Sequence, residues 1–262
     1  MNIIEAMEER TSVRTYTDQP LSDAQSNELR QAIAKAYNPF GGHATIRLAN
    51  FNLDGPFRPS TYGVISGASS YLLMGIAADR MSALSAGFMM EQVVLKATEM
   101  GLGTCWIAAT FKGTDFADKA DMPDDEPLKI VSPVGYPASK KKFLEKITRF
   151  AARSNTRRPF ETLFFSKNFE TPLATDNKFA PSLEMLRIAP SSTNSQPWRA
   201  VVDGDTVHFF YLDKSKASIL DCGIGICHFY LTEQFHGFDG NFHSAACQAP
   251  ERYHYLISWT RK

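Results

Sequence analysis

Three stretches of this chain carry residue types at spacings that could do chemistry. The densest runs Ala189-Pro190-Ser191-Ser192-Thr193-Asn194-Ser195-Gln196-Pro197-Trp198-Arg199. Pro190 should stop the apolar run Leu183, Met185, Leu186, Ile188, because proline lacks a helix donor and clashes with the preceding turn. Ser191, Ser192, Thr193 and Asn194 suit a tight turn that presents hydroxyls, an amide and backbone N–H groups. A plain helix–loop–strand connector fits the same residues. So many donors and acceptors in a loop pinned by two prolines favour a ligand-binding role. The second stretch is Arg10-Thr11-Ser12-Val13-Arg14. In an extended segment Arg10, Ser12 and Arg14 face one side, and two guanidinium forks with a hydroxyl suit an anion. Spacing alone favours a solvated charged strand. The third is Gly101-Leu102-Gly103-Thr104-Cys105-Trp106-Ile107-Ala108, whose glycines permit close backbone approach. As a bare pattern it reads as a helix cap.

Together these stretches resemble the motifs of the nitroreductase family of flavin-dependent oxidoreductases. Ala189, Pro190, Ser191, Ser192, Asn194, Gln196, Pro197 and Trp198 match its signature loop. Arg10, Ser12 and Arg14, followed by Tyr16, Asp18 and Pro20, resemble its N-terminal flavin motif. Gly101 to Ile107 resembles the segment after its long helix, and Gly135-Tyr136-Pro137 a further family step. The resemblance implies an α+β nitroreductase-like fold and an FMN-dependent NAD(P)H oxidoreductase. It implies hydride transfer through flavin N5 to a small electron-poor acceptor such as a nitroaromatic or quinone. It implies no catalytic side chain, since the chemistry sits on the flavin. Arg14 would stabilise charge on the reduced ring, while Arg10 and Ser12 would meet the phosphate and ribityl end. Trp106, Ile107 and Ala108 would run along the flavin edge, with Ile107 and Ala108 offering backbone N–H groups toward N5. Arg157 or Arg158 would meet the phosphate. Pro190, Ser191, Ser192 and Asn194 would meet the ring edge and its dimethylbenzene side. Rival readings are a flavin-binding protein without turnover (a carrier, sensor or decayed enzyme) and an interaction module with a dead site.

The signature loop sits in the second half, whereas the family carries it soon after the N-terminus. At that earlier place this chain has Asn38-Pro39-Phe40-Gly41-Gly42-His43. The layout resembles a nitroreductase dimer fused into one chain. The expected halves are 1–160 and 161–262, pseudo-symmetric, each a mixed β-sheet flanked by helices. One flavin per chain and a monomer acting as a pseudo-dimer follow from that expectation. No clear residue-level repeat links the halves.

Several elements must position these residues. Ile3, Ile4 and Met7 suggest a short helix before Arg10. Ser22 and Gln25 form a capping box for a helix carrying Leu29, Ile33 and Ala36. Thr45 to Leu53 alternates as a half-exposed strand, and Tyr71 to Ala78 reads as a buried one. Ser82 to Met100 reads as a long buried helix closed by Gly101 in a left-handed cap. Leu128 to Tyr136 is another strand, followed by a basic zone from Lys140 to Arg158. Asp203-Gly204-Asp205 joins Arg199–Asp203 and Val207–Leu212 as a hairpin. Asp221 should cap a helix closed by Gly237, and Tyr253 to Thr260 forms a last strand.

Composition limits the alternatives. The chain has 262 residues, 44% hydrophobic and 21% charged, which is ordinary for a globular protein with a real core. Lysine and arginine number 28 and so do the acids, which argues against a nucleic-acid partner. No N-terminal signal and no membrane-spanning run stand out, so the expected location is the cytoplasm. Cys105, Cys222, Cys227 and Cys247 form no CxxC pair and read as free thiols. With the histidines they match no zinc spacing, and no metal site is expected.

Overall fold

The structure is a computed structural model that describes residues 1–52, 57–138 and 156–262. Most of the basic zone after Pro137, from Lys140 to Arg153, therefore lies outside the described residues. The chain divides into two compact units, Met1–Ala151 and Ala152–Lys262.

In the first unit, helix α1 (Ile3–Glu9) starts with a capping box in which Asn2 and Glu5 exchange side-chain and backbone bonds. Helix α2 (Asp23–Lys35) starts with the expected Ser22/Gln25 box, both bonds present. Strands β1 (Ala44–Asn50), β2 (Ser70–Ile76), β3 (Gly103–Thr104) and β4 (Leu128–Gly135) form a sheet in the order β1-β2-β4-β3, all neighbours antiparallel. Its mixed character comes from single parallel bridges, Ser12 to Thr104 and Thr15 to Ser66. Strand β2 is buried along its whole length. Helix α3 (Arg80–Glu99) packs on this sheet and on α1 and α2. A cluster including Phe51, Tyr71, Phe116 and Val131 fills the core beside Val13, Tyr16 and Cys105. A short helix α4 (Ala117–Ala120), not expected from the sequence, precedes β4.

In the second unit, helix α5 (Ala180–Ile188) ends one residue before Ala189-Pro190, where the proline was expected to stop it. The hairpin forms as β6 (Trp198–Asp203) and β7 (Thr206–Tyr211), with Gly204 left-handed at its turn. With β5 (Phe164–Ser166), β8 (Gly240–His243) and β9 (His254–Arg261) they give the order β5-β6-β7-β9-β8. Only β5 with β6 is parallel. Helix α6 (Ser218–Phe235) packs on α5, β6 and β7. Strands β5 and β8 escaped the sequence reading because each is short and lacks a clean alternation.

One expectation fails here. Asp221 is not the cap of α6: Ala217 holds that position and Asp221 lies in the first turn, almost fully buried.

The two units repeat one plan. Order β1-β2-β4-β3 maps onto β6-β7-β9-β8, and a long helix links the second and third strands of each set, α3 in one and α6 in the other. The chain is α+β with two topologically equivalent sheet-and-helix halves, one carrying the extra strand β5.

Candidate functional site

The candidate residues form two clusters, one in each unit. In the first, α1 delivers Arg10 at its C-terminal end, where the Arg10 N–H caps the helix on the Ala6 carbonyl. The chain then runs extended against β3. Val13 donates to the Thr104 carbonyl at 2.8 Å, and Val13 turns into the core. Gly103 makes this approach possible, because a Cβ there would lie 2.6 Å from a Val13 methyl. Arg10, Ser12 and Arg14 are thereby brought together around Cys105. Burial pushes the Cys105 thiol up, against the Arg14 charge, the Ser12 hydroxyl and the Arg10 charge. Cys105 thus packs as a neutral thiol.

Behind Arg10 lies a residue the sequence reading passed over. Glu91 sits in the middle of apolar α3, fully buried, and accepts the Trp106 indole N–H at 3.0 Å. Its charge opposes the downward push that burial exerts on the Arg10 guanidinium. A lone acid inside a helix face that is otherwise Phe, Met, Val and Leu was the available signal, since a buried carboxylate needs partners. The Arg10 Nε is buried and has no acceptor among the described residues.

The two edge residues separate. The Ile107 N–H is engaged with the Val131 carbonyl at 3.0 Å, and the Val131 N–H returns the bond. Ile107 is therefore a buried strut and its N–H is not open to a ligand. Ala108 is exposed, and its N–H has no partner among the described residues.

In the second unit, the stretch from Ser191 to Gln196 is a bend that three non-glycine left-handed residues define: Thr193 (φ 52°), Asn194 (φ 56°) and Gln196 (φ 47°). Such backbone is uncommon outside glycine and needs enforcement by neighbours. Arg157 supplies part of that, donating to Asn194 Oδ1 at 3.2 Å and to the Ile188 carbonyl at 2.9 Å. The Asn194 amide donates to the Thr156 carbonyl at 2.8 Å. Gln196 accepts the Arg158 N–H at 2.7 Å, and its own N–H goes to the Ser191 hydroxyl at 3.0 Å. The Ser192 N–H points at the Asp221 carboxyl, 3.1 and 3.0 Å from its two oxygens. Burial pushes Asp221 up to about 7, against the Ser192 N–H and the Ser195 hydroxyl. Arg157 is thus a brace of the bend, while the Arg158 side chain is exposed.

Positive charge gathers around this bend. Lys214 donates to the Ser195 carbonyl at 2.8 Å, and its ammonium is pushed down to about 8 by burial, with Arg158 and Arg199 adding to the push. Arg199 is buried beneath, donating to the Gln196 and Trp198 carbonyls, and its Nε has no acceptor among the described residues. Lys214 was not singled out in sequence, because it belongs to no local pattern that reads as a site, and Arg199 closed the densest stretch with no role assigned to it.

A family model described as "Putative TM nitroreductase" matches residues 2–233. A solved structure from Thermotoga maritima, itself described as a putative nitroreductase, covers 100% of this chain and 93% of its own at 20% identity, with a TM-score of 0.63. A nitroreductase with bound FMN from Bacteroides fragilis covers 53% of this chain and 89% of its own at 17% identity, with a TM-score of 0.41. A nitroreductase-family structure from Clostridium novyi covers 54% and 88% at 17% identity, with a TM-score of 0.41. No curated protein matches.

Proposed function

This chain belongs to the nitroreductase family, and from that premise we propose that it is an FMN-dependent NAD(P)H oxidoreductase acting on a small electron-poor acceptor. The observation that carries the reading is the gathering of Arg10, Ser12 and Arg14 at the start of the Thr104–Ala108 segment, with the Arg10 Nε buried and lacking an acceptor among the described residues. A buried guanidinium N–H without an acceptor fits an anionic ligand that brings its own oxygens. FMN has the required groups, a phosphate, a polar ribityl chain and a ring with hydrogen-bonding edges. When bound it supplies two-electron chemistry between a nicotinamide and an electron-poor acceptor.

The chain's own residues then take these parts. Arg10 and Ser12 hold the polar tail, and Arg14 places positive charge where reduction builds negative charge. The open N–H of Ala108 is offered to the ring edge, while Ile107 and Trp106 fix that edge through Val131 and Glu91. On the second unit, exposed Arg158 is the candidate for the phosphate, and Arg157 shapes the bend. Pro190, Ser191, Ser192 and Asn194 remain flavin-contact candidates. The acceptor would be a nitroaromatic or quinone.

The purified protein should be yellow, bleach on adding NADPH and recolour with a nitroaromatic or quinone. Arg10→Ala should weaken FMN binding roughly tenfold or more, the size of a lost charge-assisted hydrogen bond, as read from bound flavin after gel filtration. A yellow protein that never bleaches is a flavin binder without turnover. A colourless one that takes up no added FMN ends the proposal.

A further inference from the structure

The second unit contains a cavity of about 570 Å³ whose wall includes Phe169, Phe210, His208 and Cys247. None of these residues belongs to the clusters described above. The Cys247 sulfur lies 3.3 Å from His208 Nδ1. The same nitrogen is 2.7 Å from the Ser258 hydroxyl, which is in turn 2.8 Å from the Tyr255 hydroxyl. The Tyr255 oxygen is fixed by the Ala245 N–H at 2.8 Å. His208 on β7 faces Ser258 across the β7–β9 ladder, so its ring is held on a rigid sheet while Cys247 comes to it from the loop after β8. Phe169 contacts Phe210 edge-on at 4.9 Å and stacks on Tyr253 at 4.3 Å. The cavity thus pairs an aromatic wall with a thiol that has a base beside it. The other three cysteines are buried, whereas Cys247 is only partly so and lines open space.

We propose that Cys247 and His208 form a thiol site for planar conjugated electrophiles, the α,β-unsaturated carbonyl class that includes enones and quinones. Neutral His208, protonated on Nε2, accepts the thiol proton at Nδ1 as sulfur attacks. The S–H bond breaks, and the sulfur electron pair forms a bond to the β-carbon of the electrophile. The proton then returns from the imidazolium to the α-carbon of the resulting enolate. The product is a thioether and the imidazole is neutral again, with no oxidant or reductant needed. The resting pair is neutral on both sides: burial pushes the Cys247 thiol up and the His208 ring down. The thiol is activated during attack, by proton transfer, and does not stand as an ion pair. The titratable and charged groups around the ring are Asp203 on β6, His243 on β8, Tyr255 on β9, and Lys167 and Glu170 on the cavity wall.

The test uses the full chain and N-ethylmaleimide as the probe, with peptide mass spectrometry reading each cysteine over time between pH 5 and 8. Cys247 should be modified first, with Cys105, Cys222 and Cys227 protected until the protein is unfolded. Its rate should rise up to the imidazole's titration below pH 6.5 and then level off toward pH 8. A free thiol instead gains about tenfold per pH unit over this range, because only the thiolate attacks. His208→Asn should lose the plateau and react at least tenfold more slowly at pH 7. The wild-type profile needs no variant, so the proposal stays testable if His208→Asn fails to fold. A wild-type rate that climbs tenfold per unit through pH 6 to 8 overturns it. So does a Cys247 no faster than the buried cysteines.

Discussion

The two units meet the same local problem, seating a helix-to-strand connector on a long helix, and solve it with different chemistry. The long helices end alike. Met100 and His236 cap them through backbone bonds to Lys96 and Thr232, and Gly101 and Gly237 follow in left-handed geometry. Leu102 and Phe238 then bond back to Ala97 and Glu233, the Schellman pattern that satisfies late carbonyls. Aligned on those glycines, Ser85 in α3 and Asp221 in α6 occupy one position. In the first unit the connector between α2 and β1 lands there: the Gly42 N–H goes to the Ser85 hydroxyl at 3.2 Å, and that hydroxyl goes on to Asn38 at 2.8 Å. In the second unit the connector between α5 and β6 lands there, and the Ser192 N–H goes to the Asp221 carboxyl. The position serves the scaffold in both. A neutral serine makes a seat indifferent to pH, and a buried acid makes one that titrates.

The two seats differ most in their response to pH. Asp221 titrates near 7 in the folded chain and near 4 when unfolded. The folded state therefore holds a proton that the unfolded state has released between about pH 4 and pH 7. The Asp221 contribution to stability therefore falls as pH rises through that window, by up to about 4 kcal/mol, and levels off above it. Urea unfolding of Asp221→Asn should show that slope removed, because the amide does not ionise and keeps an oxygen for the Ser192 N–H. An unchanged slope would mean that Asp221 does not titrate in this window. A smaller effect is expected on the other side. Ser85→Ala leaves the Gly42 N–H without its acceptor and should cost about 1 kcal/mol, equally at pH 5 and pH 8, in the same unfolding assay. A pH-dependent cost would erase the contrast. The smallest change concerns the bend. Thr193 is β-branched at φ 52°, and Thr193→Gly removes that strain while adding unfolded-chain entropy, so a net gain of roughly 0.5 kcal/mol is expected. A loss in thermal melting would mean the threonine side chain holds the bend by more than its backbone angle costs.

What the sequence disclosed was what neighbours along the chain decide. The Ser22/Gln25 box, the Gly101 closure, the Asp203-Gly204-Asp205 turn and the break at Pro190 are each settled within a few residues. The motif residues were legible as types. Their assignments changed where a bond reaches across the fold. The Ile107 N–H is taken by Val131, Arg157 by Asn194, and Asp221 leaves the helix cap to receive the Ser192 N–H. No spacing rule encodes those partners. The two-half layout was expected from where the motifs fall, and the strand orders bear it out, but at residue level the repeat stayed hidden for a related reason. It is kept in strand order, helix closure and one seat for a connector, and Ser85 with Asp221 shows that different side chains can serve that seat.

The left-handed run at Thr193, Asn194 and Gln196 has a thermodynamic corollary. Its unfavourable angles are imposed by Arg157, Arg158 and Asp221 before any guest arrives. A molecule docking on that surface would find it already frozen and would lose little affinity to ordering it.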